Sequence, residues 1–274
     1  MSDRVLFDTH THIWTMDSHR YPWRPVLKEA RIPEGPATPA RLLAEMTAAG
    51  VQRAVLVQPS TYGWDNSYLL SVLSGHSERF RGVVLVDPAD DFAPTILRKL
   101  SHQVGVRGVR FHLLEPKQVA VFKAQAGVLL RAASEHGLVV TVQVRPAHLA
   151  TLRAILSEVS LATVVVDHMG LLKADGGERE DIRSLADLQN VYVKLSGAEV
   201  VSSGGFPFAD CAQLAEGLVR SFGAARIMWG SNFPHALAAC SYEDLAGLPR
   251  RWLPDLSEVE LRQIEFGTAT SVWT

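Results

Sequence analysis

The feature that most constrains the fold is a strict alternation of short apolar runs and longer amphipathic segments along the chain. Strict alternation of strands and helices favours a parallel sheet covered by helices on both faces. The predicted strands are 5–7, 51–58, 82–87, 106–113, 138–144, 162–168, 191–196 and 226–229. The predicted helices are 40–49, 66–80, 93–104, 119–136, 147–159, 179–188, 209–222, 242–252 and 257–270. Eight such units in 274 residues predict an α/β fold, the (β/α)8 TIM barrel, as one domain over residues 1–274.

The alternative fold is a doubly wound open sheet. That fold normally carries a glycine-rich phosphate-binding turn after its first strand. The corresponding segment of this chain holds His10 and His12 and no GxGxxG pattern. The barrel is therefore the predicted architecture.

Net charge, apolar runs and cysteine content limit the kinds of partner and the cellular compartment that we expect for this protein. The formal net charge of -2 gives no sign of a nucleic-acid-binding surface. No apolar run approaches the ~20 residues that a membrane-spanning helix needs. The two cysteines, Cys211 and Cys240, lie far apart without metal-binding spacing, and the amino terminus lacks a signal-peptide pattern. We expect a protein of the reducing cytoplasm with a small-molecule substrate; composition does not predict its oligomeric state.

Polar residues at the carboxyl ends of the predicted strands define the predicted site, because active sites of such barrels form at that end. Side chains two residues apart on a strand share a face, which selects the inward residues. The selected residues are Asp8, His10, His12, Gln58, Ser60, Arg110, His112, Gln143, Arg145, His168, Lys194, Ser196 and Asn232. Buried Arg, Lys and His are rare unless paired, so their convergence favours a functional site.

A structural role is the competing interpretation for each residue taken singly. Each side chain could cap its own strand or pair locally, and Lys194 could pair with Asp8 inside the barrel. By the same alternation, Asp167 is predicted on the opposite face from His168, in a structural position.

The predicted inward charges indicate the kind of substrate. Arg110, Arg145 and Lys194 outnumber the single predicted inward carboxylate, Asp8. Guanidinium groups can bind carboxylates through two parallel hydrogen bonds. The sequence therefore predicts a small anionic substrate.

Several motifs, in order along the chain, resemble those of the amidohydrolase superfamily. The resemblance is closest to the branch that includes 2-pyrone-4,6-dicarboxylate lactonase, sugar-acid lactonases and galactarolactone isomerase. The matching segments are DTHTHIW at 8–14, VQPS at 57–60, GWDN at 63–66, GVRGVRF at 105–111, VDHMG at 166–170, VKLSG at 193–197 and WGSNFPH at 229–235. The resemblance implies a TIM barrel that acts on a cyclic ester.

The resemblance also assigns roles to individual residues. It implies that His10, His12 and His168 surround the substrate carbonyl, and that Ser60 and Arg110 contact a substrate carboxylate. A second arginine, which the pyrone dicarboxylate lactonase carries shortly after the first, has no match in LLEP at 113–116. The chain therefore departs from that lactonase in its carboxylate-binding pattern.

A second departure lies at Asn232, where the resemblance implies an aspartate that serves as metal ligand, general base or both. A neutral amide cannot accept a proton near neutral pH. The predicted activity is hydrolysis or isomerisation of an anionic lactone. Isomerisation suits Asn232 better, because the nucleophile of that reaction is a hydroxyl group of the substrate. Hydrolysis would need another base, such as His235, Asp8 or a neutral imidazole. A metal-dependent decarboxylase and a non-catalytic anion-binding barrel are the alternatives.

The resemblance does not decide whether a metal takes part. Three histidines can hold Zn²⁺, so His10, His12 and His168 form the candidate metal set. Arg110 and Lys194 would repel a cation there. We therefore predict that no cofactor is needed, with one divalent metal, zinc, as the alternative.

Overall fold

The computed structural model describes residues 4–28, 30–159, 162–174 and 180–274, and it contains an eight-stranded parallel sheet. The strands are β1 Leu6–Thr11, β2 Val51–Val57, β3 Phe80–Leu85, β4 Val106–Leu113, β5 Val139–Val144, β6 Val164–Val166, β7 Val191–Leu195 and β8 Ile227–Trp229. They follow one another in chain order around the sheet. A parallel bridge between Thr11 and Phe233 joins the two ends. The result is a nearly closed barrel, which confirms the predicted (β/α)8 fold.

Helices follow the strands and cover the outside of the sheet. They are α1 Pro39–Ala48, α2 Ser67–His76, α3 Ala93–Ser101, α4 Pro116–Glu135, α5 Leu149–Glu158, α6 Glu180–Arg183, α7 Ala198–Val201, α8 Cys211–Phe222, α9 Tyr242–Trp252, α10 Glu258–Arg262 and α11 Thr268–Trp273. The Thr38 hydroxyl caps α1 by accepting the Arg41 N–H at 3.2 Å. None of the described helices has the length and apolar character needed to cross a membrane.

Two segments that were each predicted as one continuous helix are divided in the structure. The segment predicted as 179–188 forms α6 followed by a 3-10 turn at Ser184–Asp187, and its first predicted residue lies outside the described residues. The segment predicted as 257–270 is divided by a π-helical turn at Gln263–Gly267. Trp273, at the end of α11, joins the apolar interior of the barrel.

The barrel interior is apolar on one side of the polar site. Phe7, Val55, Val165 and Met228 pack there against Trp273. The Trp273 indole N–H donates to the Met228 sulfur at 3.5 Å. This apolar cluster lies next to the polar residues inside the barrel.

Strand β4 shows how alternation selects the inward polar side chains. Val109 and Phe111 belong to the outer core between sheet and helices, where Phe111 packs 5.0 Å from Phe122 of α4, measured between ring centroids. The intervening residues Arg110 and His112 therefore face the interior. Sequence periodicity predicted this arrangement.

Strand β6 ends earlier than predicted, and this corrects the assignment of Asp167. Val165 packs in the interior cluster, so alternation places Asp167, two residues later, on the inner face as well. His168 is also brought inward, because the chain there leaves the strand in a left-handed conformation with φ of 52°. The prediction that Asp167 and His168 occupy opposite faces was wrong.

Strand β1 corrects the assignment of Asp8. Phe7 lies in the interior cluster, and the β1–β2 register shifts after Asp8, so the inward pattern of Phe7 does not run on evenly to His10. The Asp8 carboxylate accepts from the Ser231 N–H at 2.9 Å and the Tyr242 hydroxyl at 2.7 Å. Asp8 is therefore a structural anchor for the β8 end, and not the inward carboxylate that was predicted.

Candidate active site

A buried ion cluster lies where β4, β6 and β7 end. The Arg110 Nε donates to Asp167 Oδ2 at 2.9 Å, and Lys194 Nζ lies 3.0 Å from Asp167 Oδ1. The Nδ1 atom of His10 is 3.4 Å from the same Oδ1 atom. Lys194 thus pairs with Asp167 and not with Asp8, the partner that the competing structural interpretation considered.

The charges of this cluster stabilise one another. Burial alone would raise the pKa of Asp167, but Lys194, Arg110 and His10 hold that pKa well below its usual range. Burial lowers the pKa of Lys194, and Asp167 opposes this change. Two cations therefore share one carboxylate, which leaves an excess of positive charge in this group.

The neighbouring imidazoles are neutral near pH 7. Burial lowers the pKa of His10 and of His12 well below the usual histidine value. Burial also lowers the pKa of His168 and of His112 to about 3. Neutral imidazoles can donate or accept hydrogen bonds, depending on their tautomer.

Hydrogen-bond geometry assigns the tautomers of His10 and His12. The Nδ1 atom of His12 lies 2.7 Å from the Val57 carbonyl oxygen, which can only accept, so Nδ1 carries the proton. The bare Nε2 of His12 lies 3.2 Å from Nε2 of His10, which then donates. Lys194 Nζ, 3.3 Å from His10 Nδ1, completes a chain from the ammonium group to Val57.

His168 is positioned by the residues that follow β7. Its Nδ1 lies 3.0 Å from the Ser196 hydroxyl oxygen. A Cβ at Gly197 would lie 2.5 Å from the same Nδ1 and would clash with it. Gly197 also has a φ of 67°, which side chains other than hydrogen disfavour. These contacts leave Nε2 as the ring nitrogen that can reach a ligand.

A cavity of about 290 Å³ opens beside the ion cluster, and its lining includes Arg110 of the cluster and the neighbouring His112. Its volume is slightly below the ~300 Å³ lower end of ordinary small-ligand sites. Lys117, at the start of α4, adds a second cation, and Asp87, after β3, adds one carboxylate. Trp64 and Val26 form part of the apolar wall. The cavity suits a small ligand with an anionic and an apolar part.

The remaining predicted residues are distributed around this centre. Buried Gln58 donates to the Asp65 carbonyl at 2.6 Å and so fixes the loop after β2, which includes the half-buried Ser60. Half-buried Gln143 is paired in register with His112. Arg145 is not brought into the cluster: its side chain is 47% exposed and contacts Glu115 at 3.3 Å.

The end of β8 contributes Asn232 and His235. Asn232 is buried, has a φ of 59°, and its N–H donates to the His10 carbonyl at 2.9 Å. The exposed His235 ring lies 5.3 Å from that of His12 and 5.4 Å from that of Trp14, measured between centroids. His235 therefore stands at the mouth of the site.

Sequence reasoning missed Lys117, Trp64 and Glu199 as site residues. Glu199 accepts a hydrogen bond from the Asn232 side chain. Each of the three residues lies four to seven positions after the end of a strand, and this placement is the sequence signal that could have indicated them. Lys117 and Glu199 lie in the first turns of helices and Trp64 lies in a loop, so the period of two of the strands did not indicate which of these side chains turn inward.

The positions of the imidazole nitrogen atoms of His10, His12 and His168 decide whether these side chains could hold a metal ion. The Nε2 atoms of His10 and His12 lie 3.2 Å apart, and the tautomers above place a proton between them. The His168 ring lies 4.4 Å from the His10 ring, measured between centroids. In the part of the chain that the structure describes, no group of three or more His, Cys, Asp or Glu side chains is arranged to hold a metal ion. The side chains of His10, His12 and His168, as they stand, do not form a three-histidine zinc site.

Comparison with known proteins places the chain in a family. The family model for amidohydrolases matches residues 7–274. The 4-sulfomuconolactone hydrolase of Rhizobium radiobacter is 27% identical over 266 residues, covering 92% of this chain and 84% of that protein. The L-fucono-1,5-lactonase of Burkholderia ambifaria is 30% identical over 247 residues, covering 86% and 83%.

Solved structures agree on the fold. The crystal structure of an amidohydrolase from Burkholderia multivorans with bound zinc superposes with a TM-score of 0.80 at 24% identity, covering 98% of this chain and 99% of that one. At this identity the likeness supports the barrel architecture. Together with the family match over nearly the whole chain, it leads to one conclusion: the chain belongs to the amidohydrolase family.

Proposed function

We propose that this protein hydrolyses a small anionic lactone. The observation that carries the proposal is the cavity whose wall includes Arg110 and Lys117 next to a buried cluster with excess positive charge. An anionic group of the substrate would bind these two cations. The relatives named above are lactone hydrolases, which supports this reaction class.

His168 would stabilise the oxygen that becomes negative when water adds to the lactone carbonyl. If the Ser196 hydroxyl donates to Nδ1, the proton of the imidazole resides on Nε2, which then donates to that oxygen. Lys194 and Arg110 add positive potential at short range. Removing one such donor from an oxyanion site typically costs ~100-fold or more in kcat.

Isomerisation between lactones is a second candidate, favoured by the neutral Asn232 side chain at the end of β8. In that reaction a substrate hydroxyl replaces water as nucleophile. Decarboxylation would need a firmly held metal, for which the described residues offer no three-ligand group.

A panel of lactones tests the proposal. The purified protein would be incubated with sugar-acid, muconolactone and pyrone carboxylate lactones and with neutral lactones, followed by proton release and product analysis. We expect hydroxy acids from anionic lactones, with far lower kcat/KM for neutral ones. An isomeric lactone as product would favour isomerisation, and no turnover on any lactone would indicate a non-catalytic anion-binding barrel.

A further inference from the structure

Glu199 and Asn232 form a hydrogen-bonded pair at the carboxyl end of the barrel. Glu199 lies in α7, just after β7, and Asn232 lies just after β8. The Asn232 side-chain amide donates from Nδ2 to Glu199 Oε1. Since a carboxylate accepts and only the NH2 group of an amide donates, the orientation of the Asn232 amide follows from this bond.

Each member of this pair keeps one buried oxygen without a hydrogen-bond partner among the described residues. These atoms are Glu199 Oε2 and Asn232 Oδ1. A buried acceptor left unpaired costs ~1–3 kcal/mol, so such groups usually have a donor. A water molecule has two O–H donors, which match the two free acceptors in number.

The backbone ties the pair to the histidine cluster. The Asn232 N–H donates to the His10 carbonyl at 2.9 Å, beside the strand that carries the cluster. Glu199 follows Gly197 by two residues, and Gly197 packs against the His168 ring. The pair therefore borders the site from both β7 and β8.

Two thiols lie within electrostatic reach of Glu199, and the Lys173 ammonium contacts the carbonyl of the next residue, Val200, at 3.4 Å. Burial raises the pKa of Cys211 to about 12 and that of Cys240 to about 11, with Glu199 contributing to both, so the thiols stay neutral. Burial raises the pKa of Glu199 itself, against the hydrogen bond from Asn232. A carboxylate in these surroundings is a better proton acceptor than an exposed one.

We propose that Glu199 is the proton acceptor for the attacking water, with Asn232 orienting both the carboxylate and that water. This role rests on the proposed lactone hydrolysis. It moves the carboxylate that related chains would carry at the end of β8 to the loop after β7. Glu199 thus supplies the base that the amide of Asn232 cannot.

The step balances without any co-reactant. The water oxygen bonds to the lactone carbonyl carbon, one water proton passes to Glu199, and the carbonyl electron pair moves to the oxygen near His168. The ring C–O bond then breaks, and the leaving oxygen takes the proton from Glu199. One water is consumed, one hydroxy acid forms, and Glu199 returns to its carboxylate form.

The central test is Glu199→Gln, which keeps the shape and removes the base. We expect kcat to fall ~100-fold or more, the usual contribution of a general base, while KM changes much less. The double variant Glu199→Gln with Asn232→Asp places a carboxylate back at β8 and should recover at least ~10-fold of the lost kcat. Glu216→Gln, on the exposed face of α8, is the matched control and should retain wild-type kcat.

Glu199→Asp provides a second variant should the glutamine variant fold poorly, which thermal unfolding would reveal. It keeps the base but shortens it, so kcat should lie between wild type and Glu199→Gln. If the wild type is active and Glu199→Gln is equally active, Glu199 is not the base. The same conclusion follows if Glu199→Asp is as impaired as a well-folded Glu199→Gln. Either outcome would overturn the role of Glu199 and leave the proposed lactone hydrolysis standing. A wild type that hydrolyses no lactone would overturn the proposed function and this role with it.

Discussion

Lys194 Nζ lies 3.0 Å from Asp167 Oδ1, and both side chains are fully buried inside the barrel. With Arg110 on the other carboxylate oxygen, one aspartate compensates two buried cations. Taking away one member of a buried ion pair leaves its partner charge uncompensated, which usually costs ~3–5 kcal/mol. The cluster is thus a stability element as well as a source of positive potential.

The first prediction follows from this pair. Asp167→Asn should lower the free energy of unfolding by ~3–5 kcal/mol, because Arg110 and Lys194 lose their counter-charge. Denaturant unfolding measures the change. Asp187→Asn removes an exposed carboxylate paired with Arg153 at 3.2 Å and should cost no more than ~1 kcal/mol. Equal losses in the two variants would contradict the prediction.

The second prediction concerns pH. Burial lowers the pKa of His112 to about 3, whereas an unfolded histidine titrates near ~6.5. Between these values the unfolded chain binds a proton that the folded one does not, so stability falls as pH decreases through this window. In His112→Gln the slope should be shallower by up to ~1.4 kcal/mol per pH unit. Parallel stability curves for wild type and variant would rule out this effect.

The third prediction addresses substrate charge. Arg110→Lys keeps the charge beside Asp167 but loses the guanidinium fork, so kcat/KM for an anionic lactone should fall ~10-fold or more. The loss should be smaller for a neutral lactone. Arg153→Lys, in a surface ion pair, is the control and should leave both values unchanged. Unchanged kinetics of Arg110→Lys on the best anionic substrate would remove Arg110 from the binding site.

The fourth prediction concerns metal. The Nε2 atoms of His10 and His12 share a proton, and two buried cations lie nearby, so we expect activity to survive exhaustive chelation. Metal analysis of the native protein and kinetics before and after chelation provide the measurement. Stoichiometric zinc, with activity lost on chelation and restored by added zinc, would show that metal is required.

The sequence by itself determined the barrel. The period of apolar runs and helical segments specifies a parallel sheet, since strands covered on both faces must be apolar throughout. Within β4, the period of two also specified that Arg110 and His112 face inward, because regular pleating leaves no other choice. Motifs at the strand ends predicted that His10, His12 and His168 converge, and their rings lie together in the structure.

Only the tertiary structure decided which charges meet. Asp167 and His168 both enter the site because β6 stops at Val166 and the chain turns left-handed there. Asp8 is lost from the site because the register shifts within β1. These events break the period of two, so a pattern in the sequence cannot report them.

The pairing of Glu199 with Asn232 is likewise a tertiary fact. The two residues are 33 positions apart, with Glu199 in the short helix α7 and Asn232 in the segment after β8. They meet because β7 and β8 are neighbours and deliver their loops to the same edge of the barrel. The sequence indicates the order of the strands, whereas the conformation of the segments that follow them, fixed by contacts across the barrel, decides which side chains meet.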